Sequence, residues 1–410
     1  MPTLDTTLLL AVMLLVAMAA EPLSRKLRLP FSAFLVLVGF LGSELIVGLG
    51  FDTGLRAENF VDLVLHVLVP ILVLESAFRM QFKSLLRNIL PVLLLAVPLM
   101  LLSAAAIGGV LYLGINHPSF GLITALLAGV ILSATDPVAV VALFERFKAP
   151  ERLIVLLEGE SLFNDATAVV GFSLLVALLL NGASTFQPGA AALTFVWHML
   201  GGIALGALIG GLAGLIYSHS KRLEWSGLLV LLTVPITYRI AEHHLQVSGI
   251  VSLLAAGLAL GEAHRRHNGP QFVSELWSLS SYAANALVFL LAGATVTLAM
   301  FQSHWLAMLL GIGAAVVVRA AIIYLILPAS MKLMLQPPIP ASYKKVMQWG
   351  GLRGAVALAL ALSLPSEVEH WYTLQSVVYG VVLFTLFVQA PLLEPLVRRT
   401  LGPKARQPEP

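Results

Sequence analysis

Cysteine is absent from the 410 residues. Disulfides, thiol nucleophiles and thiolate metal sites are therefore excluded. Charge is scarce too: only 11% of residues are Asp, Glu, Lys or Arg, against roughly 25% in soluble domains. What fills the chain instead is apolar, 59% of it, evenly spread from end to end. A water-soluble fold could not cover that much apolar surface, so one all-α polytopic membrane domain is expected. The lipid bilayer is then a partner by necessity, and nucleic acid is not an expected one.

Apolar runs of about 20 residues cross a bilayer. Such runs lie near 6–22, 31–50, 60–78, 89–114, 120–144, 153–180, 193–218, 227–245, 248–264, 275–300, 304–327, 345–363 and 372–397. The eighth and ninth nearly merge. The first resembles a signal peptide, but its charges, Arg25, Lys26 and Arg28, follow the apolar stretch rather than precede it. That order is opposite to a secretory signal and marks a first membrane helix.

Basic residues test the count of thirteen. Alternate connections hold Arg25, Lys26 and Arg28; Arg79, Lys83 and Arg87; Arg146, Lys148 and Arg152; Lys221 and Arg222; Arg265 and Arg266; and Lys332, Lys344 and Lys345. The tail adds Arg398, Arg399, Lys404 and Arg406, while the other side holds Arg56 alone. This is the positive-inside pattern. It predicts an outer N-terminus and a cytoplasmic C-terminus, with 399–410 a short cytoplasmic tail and no soluble regulatory domain.

An odd helix number suits an inverted repeat around a linker helix, the plan of many secondary transporters, with broken helices at matching positions of the two halves. The division would be 1–192, a linker at 193–218, and 227–398. Two candidate breaks occupy matching places. The fifth span contains Ala134-Thr135-Asp136-Pro137, where proline removes an N–H and displaces its predecessor from helical geometry. The twelfth contains Gly350-Gly351-Leu352-Arg353-Gly354, where glycine favours a break. Proline and glycine are common in membrane helices, but a charge beside each break favours function.

Charges inside a membrane are costly and usually functional. Arg319, Arg353, Asp136, Glu160 and Asp165 lie about seven to twelve residues from the inner ends of their spans. At 1.5 Å per residue that is roughly 11–18 Å deep, near the midplane of a ~30 Å core. On the sixth span Glu160 and Asn164 are four apart, as are Ser161 and Asp165, so both pairs are expected on one side. That side would present only oxygens, with Thr135 adding a hydroxyl, and oxygens suit a hard cation such as Na⁺. Three acids and two arginines leave a formal charge of −1. One Na⁺ or one H⁺ neutralises it, and mutually exclusive occupancy is the minimal mechanism of an exchanger. A static ion-pair network is the bland alternative. Buried pairs stabilise weakly, and an acid in excess has no structural use.

Together, Ala134-Thr135-Asp136-Pro137, Glu160-Ser161-Leu162-Phe163-Asn164-Asp165 and Gly351-Leu352-Arg353-Gly354 resemble the monovalent cation–proton antiporters of NhaP type, relatives of the animal sodium/proton exchangers. The likeness runs over nearly the whole chain. It implies a homodimer in a plasma membrane, with a core domain moving against a dimerisation domain. It implies that Asp165 binds the ion and the proton, and that Thr135, Asp136, Glu160 and Ser161 complete or orient the site. Arg319 would pair with Glu160, Arg353 would stabilise the broken helix ends, and Asn164 would mark electroneutral exchange. The transported ion would be Na⁺ or Li⁺, with K⁺/H⁺ exchange on the same fold as the alternative. No cofactor and no enzymatic reaction are implied.

Other features weigh less. Gly202, Gly206, Gly210 and Gly214 form a close-packing stripe. Arg239 and Glu242 are expected to neutralise each other. Glu75 could line a cytoplasmic funnel or sit at headgroup level. His117, His243, His244, His304 and His370 fall near outer loops without the spacing of a zinc site. Asp136 and Asp165 on adjacent spans would also fit an intramembrane aspartyl protease. The arginines, Asn164 and the lack of a Gly-x-Gly-Asp motif oppose it.

Overall fold

A membrane helix satisfies each backbone group within itself, and helix is what the chain adopts at all thirteen predicted spans. The computed structural model describes residues 3–401 except 28, 50–59, 116, 118–119, 182–186 and 220–222. Arg28, Arg56, Lys221, Arg222, Lys404 and Arg406, and with them the tail after 401, lie outside the described residues.

The first four helices are α1 (Thr3–Leu27), α2 (Phe31–Gly48), α3 (Val61–Arg79) and α4 (Ile89–Gly114). Next, α5 is broken into α5a (Leu122–Ser133) and α5b (Val138–Phe147). Then come α6 (Glu151–Asn181), α7 (Pro188–His219), α8 (Leu223–Arg239, extended by a π turn to Leu245) and α9 (Gly249–Arg266). After α10 (Gln271–Thr295) and α11 (Leu298–Leu333), α12 is broken into α12a (Ala341–Gly350) and α12b (Ala355–Leu362), and α13 spans Trp371–Leu401. Among the described residues nine of these helices are long and apolar enough to cross a membrane. The other four are the two broken ones and α8 and α9, which carry Arg239, Glu242, Glu262, Arg265 and Arg266.

Helices α8 and α9 are separate. Gln246 takes a left-handed conformation, φ 49°, and reverses the chain. Glu242 does not pair with Arg239 as expected; its Oε1 accepts the Gly249 N–H at 2.8 Å and caps the start of α9. A helix start has free N–H groups that attract a carboxylate, which outcompetes an exposed arginine.

Packing divides the helices into two groups. In one, α4, α5, α11, α12 and α13 pack together; in the other, α7 lies along α9, α2 along α10, and α3 against α9 and α10. The glycine stripe of α7 is what lets it approach α9. A β-carbon on Gly206 would overlap the Ser252 carbonyl, and one on Gly210 would lie 2.6 Å from the Ala256 Cα. Helix α6 touches both groups, and α12b meets α10.

Candidate ion-binding site

Both predicted breaks exist, and they meet. Ala134 is extended at the end of α5a, ψ 133°, and α12a stops at Gly350. The two unwound segments cross in an isolated antiparallel bridge in which the Asp136 N–H donates to the Leu352 carbonyl at 2.8 Å. The crossing is tight enough to demand glycine. A β-carbon on Gly354 would fall within the Asp136 carboxyl group, and one on Gly351 would collide with the Arg319 guanidinium.

Unwinding exposes backbone groups that an apolar interior cannot solvate, and side chains of the neighbouring helices take them. Ser161 Oγ donates to the Thr135 carbonyl. Asn164 spans the same residue: its Nδ2 donates to Thr135 Oγ1 at 2.8 Å, and its Oδ1 accepts the Thr135 N–H at 3.5 Å. Arg353 Nη1 donates to the Ala134 carbonyl at 3.3 Å. Across the bundle, Arg319 pairs with Glu160 through both nitrogens of its fork, Nη2 to Oε2 at 3.2 Å. Glu160 is only 2% exposed, and Arg319 is buried with it. Arg319 also donates from Nε and Nη2 to the Met347 carbonyl of α12a, at 3.3 and 3.1 Å.

A cavity of about 510 Å³ lies between the two helix groups. Thr135, Asp136, Ser161, Asp165 and Gly354 line it on the side of the breaks, and Glu75, Ser281 and Asn285 face it from α3 and α10. Its lining also includes Arg79, Gln81 and Glu151, which are exposed on the face carrying the basic connections. Glu75 is thus a cavity residue rather than a headgroup one. It is buried and bonded to Arg79 at 3.1 Å.

Of the residues singled out by sequence, Thr135, Asp136, Ser161 and Asp165 come together on this wall. Glu160 and Asn164 stand one residue earlier on α6, turned about 100° from their neighbours. They face a separate void of about 10 Å³ shared with Arg319 and Arg353. The two pairs on α6 therefore do not share one side as expected. One set lines the cavity, and the other braces it from behind.

Sequence reasoning missed several polar groups of the framework. Gln389 Nε2 donates to the carbonyls of Trp349 and Gln348, at 3.0 and 3.4 Å. Gln348 Nε2 donates to the Val316 carbonyl at 3.2 Å, and Thr385 Oγ1 accepts the Arg353 N–H at 3.2 Å. Their one signal was a neutral polar side chain inside an apolar span.

Two broken helices crossing beside buried charge, on the wall of a cavity open to one face, define a secondary transporter. The chain belongs to the sodium/hydrogen exchanger family, whose transmembrane region matches residues 10–399. It is 36% identical over 410 residues to the Na⁺/H⁺ antiporter ApNhaP of Aphanothece halophytica, covering 98% of this chain and 75% of that one. It is 32% identical over 360 residues to the Na⁺/H⁺ antiporter NhaP of Pseudomonas aeruginosa, covering 84% and 82%. In fold it matches the sodium proton antiporter MjNhaP1 of Methanocaldococcus jannaschii, with a TM-score of 0.82 at 21% identity over 98% of this chain and 100% of that one.

Proposed function

We propose that this exchanger moves one Na⁺ against one H⁺ at a single site centred on Asp165. The observation that carries the reading is the shared cavity wall. There Asp165 stands with Asp136, the Ser161 hydroxyl and Thr135. Oxygen ligands of this kind suit a hard monovalent cation and leave no soft donor for a transition metal. Glu160 is held in its bond to Arg319. Its part is to anchor α6 to α11 and α12 rather than to coordinate the ion. Asn164 fixes Thr135, and Arg353 holds the end of α5a.

The charge balance gives the exchange rule. At the crossing, Asp136, Glu160 and Asp165 against Arg319 and Arg353 leave −1; the Glu75–Arg79 pair adds nothing, and Glu151 and Glu158, which also line the cavity, are counted outside the site. Either Na⁺ or H⁺ neutralises the site, and both cannot bind together. A site neutral in either loaded form crosses an apolar barrier at lower cost than a charged one. Loaded states move and the empty state does not, which is coupling. In this reading the cavity opens to the cytoplasm, where the basic connections lie. The two repeats around 193–218 supply the alternating access, and two copies pair in the cell's inner membrane.

The direct test is Asp165→Asn, which keeps the shape and removes the exchangeable charge. In everted vesicles Na⁺-driven proton movement is expected to fall to background, with unchanged amounts of inserted protein. Near-normal exchange by this variant would sink the assignment.

A further inference from the structure

Two side chains of α13 have no role in the exchange scheme above, yet both grip its framework. The helix widens into one π turn over Thr385–Gln389, a deviation frequent at functional sites. Thr385 and Gln389 stand at the two ends of that turn and contact the α12 break.

The break leaves a specific deficit. Helix α12a ends at Gly350, so the carbonyls of residues 347 to 350 lack intrahelical donors. Hydrocarbon supplies no donor, so the protein's own polar groups must serve them. Arg319 serves Met347. Gln389, 6% exposed, serves the next two, Gln348 and Trp349. Beyond the break, Thr385 Oγ1 receives the Arg353 N–H. Between these two anchors lie Gly350, Gly351 and Leu352, and Leu352 supplies the carbonyl that holds the Asp136 N–H. The next residue after Arg353 is Gly354, whose bare α-carbon admits the Asp136 carboxylate.

We infer that Gln389, with Thr385, is a positioning residue for the ion site. It holds the unwound end of α12a so that Leu352 and Gly354 set the Asp136 carboxylate beside Asp165. The inference rests on the exchange reading. It also explains an uncharged donor at 389: a lysine would serve the same carbonyls but add a charge to a layer already holding Arg319 and Arg353.

The test measures the half-saturating Na⁺ concentration in two ways. One is exchange in proteoliposomes. The other is the Na⁺ concentration giving half the maximal thermal stabilisation of the full chain in detergent. Gln389→Met keeps the bulk and removes both donors, and Thr385→Val keeps the shape and removes the acceptor. Both variants are expected to raise the half-saturating Na⁺ in both assays, Gln389→Met by about tenfold, the scale of one or two lost hydrogen bonds. Thr385→Ser restores the wild-type value. A lower maximal rate with unchanged half-saturating Na⁺ would make these residues mere packing and overturn the inference. Should Gln389→Met yield no folded protein, Thr385→Val against Thr385→Ser decides by the same criterion. A wild-type chain that neither exchanges nor responds to Na⁺ would instead overturn the exchange reading beneath it.

Discussion

At Gly354 a single hydrogen atom in place of a methyl group decides whether the two breaks can cross. A β-carbon there would occupy the space of the Asp136 carboxyl group. Gly354→Ala is therefore expected to displace Asp136 or break its bond to Leu352, at about 1–3 kcal/mol for overpacking. Exchange should fall far more than the yield of inserted protein, as read by Na⁺-driven fluorescence dequenching beside thermal unfolding. Glu160 and Arg319 invite a different experiment. Removing either partner strands a buried charge and is expected to cost about 3–5 kcal/mol. The Glu160→Ala, Arg319→Ala double variant should cost less than the two singles combined, as measured by unfolding in detergent. Strict additivity would mean that the pair is not coupled. These acids and arginines were legible because a charge in an apolar run is conspicuous. Gln389 and Gln348 were not. A neutral amide costs little to bury when bonded, and nothing local announces which distant carbonyl it will meet.

Among the elements, the α7–α9 contact supplies no residue to the cavity wall. Gly206→Leu would drive a side chain into the Ser252 backbone and should lower the thermal midpoint, with about 1–3 kcal/mol lost. The half-saturating Na⁺ of the remaining folded protein should not move. A changed Na⁺ affinity would show that this interface reaches the site. The thirteen helical segments and both breaks could be read in advance because apolar length, proline and clustered glycine are local signals. The π turns at 64–68, 240–245, 322–326 and 385–389 could not. A π turn answers to its neighbours rather than to its own residues. The same cause misplaced Glu160 and Asn164: a four-residue spacing gives a shared stripe, but only the surrounding helices decide which stripe meets the cavity.

For the whole molecule, the charge balance predicts that voltage has nothing to act on. If one Na⁺ replaces one H⁺ while Glu160 stays with Arg319, no net charge moves per cycle. Exchange rates in proteoliposomes at zero voltage and at a strongly negative potassium diffusion potential should then be equal at equal pH gradients. An exchanger carrying one extra charge would feel about 2.3 kcal/mol per 100 mV. A clear dependence on potential would show a second proton and refute the count. The crossing also bears on how the protein is made. Arg353 and Ala134 are bonded across 219 positions of chain, and Arg319 and Glu160 across 159. Chains are synthesised N-terminus first, so α5 and α6 with their acids are in place long before α11 and α12 arrive. During that interval Ala134 lacks its arginine, Glu160 lacks its counter-charge, and Asp136 lacks the Leu352 carbonyl. A half-made copy in the membrane holds the acids of the transporter but not the crossing that arranges them.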